Sequence, residues 1–213
     1  MNEPATVRTP PRFLYFDLGR VLIDFDHRIG FANLARLFQC PAESVETAFH
    51  QASWPLEYEK GRIPTREACR QIRDTLGGDA SDESICLAIS RIFQTRAEML
   101  PLVCGLYRSG IRMGILSNTC EAHWNFLMES GYRVLDLFPV QALSFRMGRV
   151  KPEPEIFRQA AQLAGVRPGE IFFTDDIPAH VEAAAAAGFD AILFPGAPRL
   201  ARELLDRKVP FAC

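Results

Sequence analysis

A chain of 213 residues, 48% of them apolar, is long enough for one large domain or for a core domain that carries a smaller insertion. A net charge of −2, with basic residues scattered along the chain, leaves no electrostatic footprint for nucleic acid or an anionic membrane, and no apolar run reaches the length of a membrane span. The six cysteines (Cys40, Cys69, Cys86, Cys104, Cys120 and Cys213) are widely spaced, with no CxxC pair and no histidine at zinc-finger spacing, so free thiols in a reducing, cytoplasmic compartment are expected.

The start MNEPATVRTPPR lacks the apolar stretch of a signal peptide and is expected to be frayed. RFLYFD (12–17) follows as a buried strand that delivers Asp17 at its end. From 27 to 98 the pattern is helical, with apolar residues at helical spacing in GFANLARLFQ, AESVETAFHQA, TREACRQIRDTLG and DESICLAISRIFQ. Thr65 is placed to cap a helix over 66–76, and Ser81 and Asp82 a helix over 83–95. No strand signal appears there, so residues 27–98 read as an inserted α-helical cap domain, with 1–26 and 99–213 forming the core.

From about 100 onward helices and strands alternate. Helices are expected over 100–109, 119–131, 153–165 and 178–188, and strands over IRMGILSN (111–118) and EIFFTDD (170–176), with weaker ones over VQALSF (140–145) and DAILF (190–194). This order predicts an α/β fold, a Rossmann-like parallel sheet flanked by helices.

In such a sheet ligands bind beyond the C-terminal ends of the strands. Asp17, Ser117, Asn118, Asp175 and Asp176 lie there, and Lys151 sits in the loop GRVKPEPEIF before a helix. Singly, each has a plain reading: Asp17 in a turn, Ser117 or the Asp pair as helix caps, Lys151 as a solvated loop residue. Together the acids, a hydroxyl and a cation suit a divalent metal and a phosphate, because hard oxygens hold Mg²⁺ and a hydroxyl with an ammonium holds phosphoryl oxygens.

The order of these motifs resembles the haloacid dehalogenase superfamily of phosphohydrolases over nearly all the chain after residue 11. FDLGRVL is similar to its first motif, LSN to its second, RVKPEPEIF to its third and FFTDDIPAHVEAA to its fourth. LEYEKGRIPTREAC resembles the cap segment of one branch, which also carries a D-x-G first motif and SNTxxxHW, as in Ser117 to Trp124, and is similar to bacterial sugar-phosphate phosphatases of the glucose-1-phosphatase type. The resemblance implies a Mg²⁺-dependent phosphatase of small phosphorylated metabolites, with sugar phosphates expected. Asp17 would be the nucleophile that forms an aspartyl-phosphate, and Lys151 would offset charge repulsion at the reacting centre. Ser117, Asn118 and Lys151 would bind the phosphoryl group. Asp17, the Gly19 carbonyl, Asp175 and Asp176 would hold the metal, Asp176 directly or through water.

Two positions depart from the family pattern. Gly19 stands where most members have an acid that protonates the leaving group, a function worth about 10²–10⁴ in rate. His180 stands where Asn is often found, and reads as a helix-surface histidine rather than one that orients the loop. Asp24, Asp26 and His27 follow the first motif closely, and Glu59 would approach if the cap closes; all four read more simply as polar hinge and cap residues than as replacement acids. In the cluster Trp54, Tyr58, Glu59, Lys60 and Arg62, the aromatic residues are expected to pack inside one helix end that stops at Gly61, leaving one of the charged residues to meet the leaving group.

Other chemistries compete. A true dehalogenase also uses an aspartate nucleophile with no acid two residues on, but it needs no Mg²⁺ and leaves Asp175 and Asp176 unexplained. A binding or regulatory protein of the same fold would account for the missing acid but not for the retained motif residues. A phosphoacceptor receiver domain has the wrong motif order and no room for the helical insertion.

Overall fold

A computed structural model describes residues 10–211; residues 1–9, most of the start expected to be frayed, and Cys213 lie outside the described residues. The first strand, β1 (Phe13–Phe16), is buried on both faces: Phe13 and Tyr15 enter one apolar layer, Leu14 and Phe16 the other. It is the centre of a five-stranded parallel sheet with β4 (Met113–Ser117), β5 (Val140–Leu143), β6 (Ile171–Asp175) and β7 (Asp190–Leu193), in the order β5-β4-β1-β6-β7. On the Leu14 side pack α6 (Leu100–Arg108), α7 (Glu121–Glu129) and α11 (Ala197–Asp206); on the Tyr15 side pack α9 (Pro154–Ala164) and α10 (Pro178–Ala186). This is the Rossmann-like α/β arrangement that the alternating pattern predicts. The helix α11 is an addition to the expected elements. The strand expected over 140–145 stops at Leu143. There Ser144 starts a short helix, α8 (Ser144–Met147), and its buried hydroxyl accepts from the Thr119 N–H at 3.0 Å and donates to the Thr119 carbonyl at 2.8 Å.

Between β1 and β4 the chain leaves the sheet through β2 (Ile23–Phe25) and returns through β3 (Phe93–Thr95), which pair antiparallel with Ile23 opposite Thr95. Five helices lie between them: α1 (His27–Phe38), α2 (Ala42–Gln51), α3 (Trp54–Glu59), α4 (Thr65–Leu76) and α5 (Asp82–Ser90). They enclose their own apolar cluster, which includes Leu34, Val45, Ile72 and Ile85. The expected helix over 83–95 is therefore too long. It ends at Ser90, and Phe93–Thr95 instead complete a ladder with residues some seventy positions earlier, where β-branched and aromatic side chains fit a paired strand. Ser81 does cap α5, accepting from the Ser84 N–H at 3.2 Å, whereas Thr65 is the first residue of α4 and turns its hydroxyl to Tyr58 and Glu121.

The helical layer is tied to the sheet domain by buried polar bonds. The Tyr58 hydroxyl accepts from the Ala122 N–H at 3.0 Å, satisfying one of the free amides in the first turn of α7, and pairs with Thr65 at 2.9 Å. Lys60 meets Glu153 at 2.6 Å, and His123 donates through Nε2 to the Ile89 carbonyl at 3.2 Å. Among the described residues, Cys40, Cys69, Cys86, Cys104 and Cys120 are free thiols, and no helix is long and apolar enough to cross a membrane. Because Ala122 is buried, Tyr58→Phe leaves its N–H without an acceptor and is expected to lower stability by about 1–3 kcal/mol, read as a lower urea midpoint with an unchanged slope.

Candidate active site

The C-terminal ends of β1, β4 and β6 bring the expected residues to one place. Asp17 directly follows β1, and its backbone N–H extends the ladder by bonding the Thr174 carbonyl at 3.0 Å. Lys151 arrives from the loop before α9. Its Nζ donates to Asp17 Oδ1 at 2.7 Å, to Asp175 Oδ2 at 2.5 Å and to the Leu116 carbonyl at 2.9 Å. Its side chain is 1% exposed and that of Asp175 0%, so this is a buried cluster and not the solvated loop lysine of the plain reading. The loop is held by a reciprocal pair: the Asn118 amide donates to the Lys151 carbonyl at 2.9 Å and its oxygen accepts from the Lys151 N–H at 2.7 Å. The Asn118 side chain thus positions Lys151. The Ser117 hydroxyl is buried and, among the described residues, makes only a long bond, 3.3 Å, to the Asn118 carbonyl. Ser117, Asn118, Asp17, Gly19, Lys151 and Asp176 all line one cavity of about 390 Å³.

The cluster carries more negative charge than Lys151 neutralises. Burial pushes the Asp17 carboxyl up to about 6, Lys151 opposes this, and the neighbouring Asp175 carboxylate adds to it. Burial acts the same way on Asp175, but bonds from His180 and Lys151 outweigh it and hold that group below the usual carboxylate range. Burial and Asp175 together raise Asp176, whose only ion pair among the described residues is a long one, 3.8 Å, to Arg20. One oxygen from each of Asp17, Asp175 and Asp176 lies within 4.8 Å of the others. Three hard oxygen donors around excess negative charge fit a small divalent cation such as Mg²⁺.

His180 is not the surface histidine expected from its place on a helix. It is 8% exposed, and its Nδ1 lies 3.1 Å from both carboxylate oxygens of Asp175. At the start of α10 it turns inward and orients Asp175, whose Oδ1 also accepts from the Ile177 N–H at 2.8 Å. The short step from the end of β6 to the first turn of α10 could have suggested this; helical periodicity alone points the wrong way because α10 is alanine-rich on every side. Two hinge acids are accounted for: Asp24 pairs with Arg96 at 2.6 Å, and Asp26 caps α1 by accepting from the Arg28 N–H at 2.9 Å.

The position two residues after Asp17 has no room for a side chain while the Phe25 ring lies where it does. A Cβ on Gly19 would lie 2.4 Å from Cε1 of Phe25, a residue brought back over the loop by the β2–β3 ribbon. The turn is held by the Arg20 N–H bonding the Ile23 carbonyl at 2.6 Å, and the Arg20 guanidinium lies 5.5 Å from the Phe25 ring centre. Gly19→Ala is expected to destabilise the protein by about 1–3 kcal/mol, as overpacking does. Phe25→Ala in the same chain should recover part of that loss, with a coupling of at least about 0.5 kcal/mol in a double-mutant cycle measured by denaturant unfolding.

The profile of the haloacid dehalogenase-like hydrolases matches residues 13–188. A D-ribitol-5-phosphate phosphatase from Bacteroides thetaiotaomicron is 26% identical over 186 residues, covering 83% of this chain and 88% of its own length. A phosphatase from Mycobacterium tuberculosis is 27% identical over 189 residues, 84% of each chain. Among solved structures, a haloacid dehalogenase family enzyme from B. thetaiotaomicron in complex with magnesium and inorganic phosphate superposes with a TM-score of 0.77 at 32% identity, over 86% of this chain and 93% of that one. With the profile spanning most of the chain and the strand-end acids gathered around Lys151, the protein belongs to the haloacid dehalogenase-like hydrolase family.

Proposed function

We propose that the protein is a Mg²⁺-dependent phosphatase of small phosphate monoesters that works through an aspartyl-phosphate on Asp17. The observation that carries this reading is the Lys151 ammonium bonded to both Asp17 and Asp175, beside the Ser117 hydroxyl, in one cavity. Its named relatives are phosphatases, one of them of a pentitol phosphate, which keeps sugar and polyol phosphates among the candidate substrates. Carbon–halogen displacement would leave Asp176, and the negative charge that Lys151 does not neutralise, without a task. A small phosphorylated metabolite is the partner, and the free thiols suit the cytoplasm.

In the proposed reaction an Asp17 oxygen attacks phosphorus and the ester oxygen departs. Water then hydrolyses the acyl phosphate, returning Asp17 and releasing phosphate. Lys151 stabilises the charge on the transferring group and reduces the repulsion between an anionic nucleophile and an anionic ester. Ser117 and the backbone around Asn118 bind the phosphoryl oxygens. Asp17, Asp175, Asp176 and the Gly19 carbonyl would hold Mg²⁺, which when bound supplies positive charge to the phosphoryl oxygens. His180 keeps Asp175 in place for that task.

Purified protein is expected to release phosphate from p-nitrophenyl phosphate with Mg²⁺ present and to stop when the metal is chelated; no turnover across a broad ester panel would favour a binding protein of this fold. Asp17→Asn should reduce turnover by at least about 10³-fold, with its unfolding midpoint retained. Asp175→Asn should raise the Mg²⁺ concentration needed for half-activity. Combined with Asp17→Asn, it should add little further loss, since the two act in one step.

A further inference from the structure

With Phe25 closing the space above Gly19, a proton for the leaving group has to come from elsewhere, and the groups lining the catalytic cavity narrow the choice. Lys151 is bonded to two carboxylates and a carbonyl. Arg20 faces Asp176 and the Phe25 ring. His180 is bonded to Asp175. Burial and the nearby Arg20 lower the proton affinity of His27, which disfavours it as the donor. Asp17 is the proposed nucleophile, and Asp176 faces Arg20 and the metal cluster.

Glu59 remains. It sits at the C-terminal end of α3 and, among the described residues, makes no hydrogen bond and no ion pair. Burial raises its proton affinity, as an acid at that point requires. With His27 it lines all three of the cavity that holds Asp17, a smaller one over Ser117 and a third within the helical layer. It is not carried on a loose lid, because the residues around it are anchored. Tyr58 accepts from the Ala122 N–H, Lys60 meets Glu153 at 2.6 Å, and Gly61 lies so close to Phe145 that a Cβ would come within 2.0 Å of its carbonyl oxygen. A side chain held this way is preorganised for one task.

We propose, resting on the phosphatase reading, that Glu59 is the acid that replaces the one missing at Gly19. As the bond between phosphorus and the ester oxygen breaks, the Glu59 proton passes to that oxygen and an alcohol leaves. The Glu59 carboxylate then takes a proton from the water that attacks the acyl phosphate, so acid and phosphate are both restored. The test is single-turnover cleavage of a series of phosphate monoesters graded by leaving-group acidity, with Mg²⁺ saturating. The unaltered protein should show a shallow dependence, and Glu59→Gln should slow alkyl esters by about 10²–10⁴-fold more than p-nitrophenyl phosphate, whose leaving group needs no proton. A steep dependence in the unaltered protein overturns the proposal without recourse to any variant. So does a Glu59→Gln protein that slows all esters alike or none. If p-nitrophenyl phosphate is not cleaved by the unaltered protein, it is the phosphatase reading that fails.

A different observation bears on the leaving group. The third cavity, about 250 Å³, opens beyond Glu59 between α1, α2, α3 and α7. Its wall is a run of rings: Phe31 lies 5.4 Å from Phe49, and Phe49 5.1 Å edge-on to Trp54. Among the described residues no lysine or arginine lines it; its polar groups are the Tyr58 hydroxyl, already bonded, Glu59, and the imidazoles of His27, His50 and His123, of which burial pushes His123 down to about 4. A polyol turned toward the ring wall would find no partner for its hydroxyls on that side, each a loss, whereas a flat apolar ring would bury area against it. The geometry points to a leaving group that carries an uncharged ring. At comparable leaving-group acidity, 2-phenylethyl phosphate should exceed a pentitol phosphate in kcat/KM by at least about 10-fold. Phe49→Ala should shrink that ratio while leaving inhibition by inorganic phosphate unchanged. A pentitol phosphate cleaved as well or better overturns this assignment and leaves the phosphatase reading standing.

Discussion

The ammonium of Lys151, buried between Asp17 and Asp175, is the constraint around which the rest is arranged. Taking an ammonium and two carboxylates out of water is costly, and mutual attraction offsets that only when every group is placed to within hydrogen-bond tolerance. A parallel sheet meets the requirement because neighbouring strand ends are fixed by the ladder. Asp17 and Asp175 end adjacent strands, and the Leu116 carbonyl from the strand on the other side takes the third ammonium proton. The loop that carries Lys151 has no ladder of its own, so Asn118 clamps its backbone from both sides. The negative charge left over is what makes the same cluster a fit for a divalent cation.

The helical layer solves a second problem, which is to place side chains over the strand ends without blocking them. Its two connections run as one paired ribbon, so the layer is attached at a single two-stranded joint and braced by Asp24 and Arg96 across it. Beyond the joint, contact with the sheet domain combines polar bonds from Tyr58, Lys60 and His123 with an apolar cluster in which Tyr58, Ala68 and Ile89 pack on Cys120 and Ala122. Such bonds are directional, so they set where α3 ends and hence where Glu59 faces.

Phe25 links the two problems. The ring that crowds Gly19 belongs to the ribbon that carries the helical layer, so the first motif and the layer above it meet at one residue. His180 is the counterpart on the other side of the site. A residue that helical periodicity places on the surface is drawn inward because the carboxylate that ends β6, five positions earlier, faces it.

The sequence by itself determined what depends on neighbours along the chain. Apolar runs marked the five strands of the sheet, helical spacing marked most helices, and acids at strand ends marked Asp17, Asp175 and Asp176, because strand burial and helix phase are local properties. The tertiary structure decided what depends on residues far apart. Residues 93–95 become a strand only by pairing with Ile23–Phe25, and Lys151 becomes a buried counter-ion only by meeting an aspartate 134 positions away. Ser117 and Asn118 are adjacent in sequence, yet one hydroxyl opens on the cavity while the other side chain braces a loop 33 positions on, a division that no local pattern records. Whether Gly19 is a lost acid or an occupied space, and whether Glu59 faces solvent or the site, turned on the packing of Phe25 and α3, because sterics and burial act through space and not along the chain.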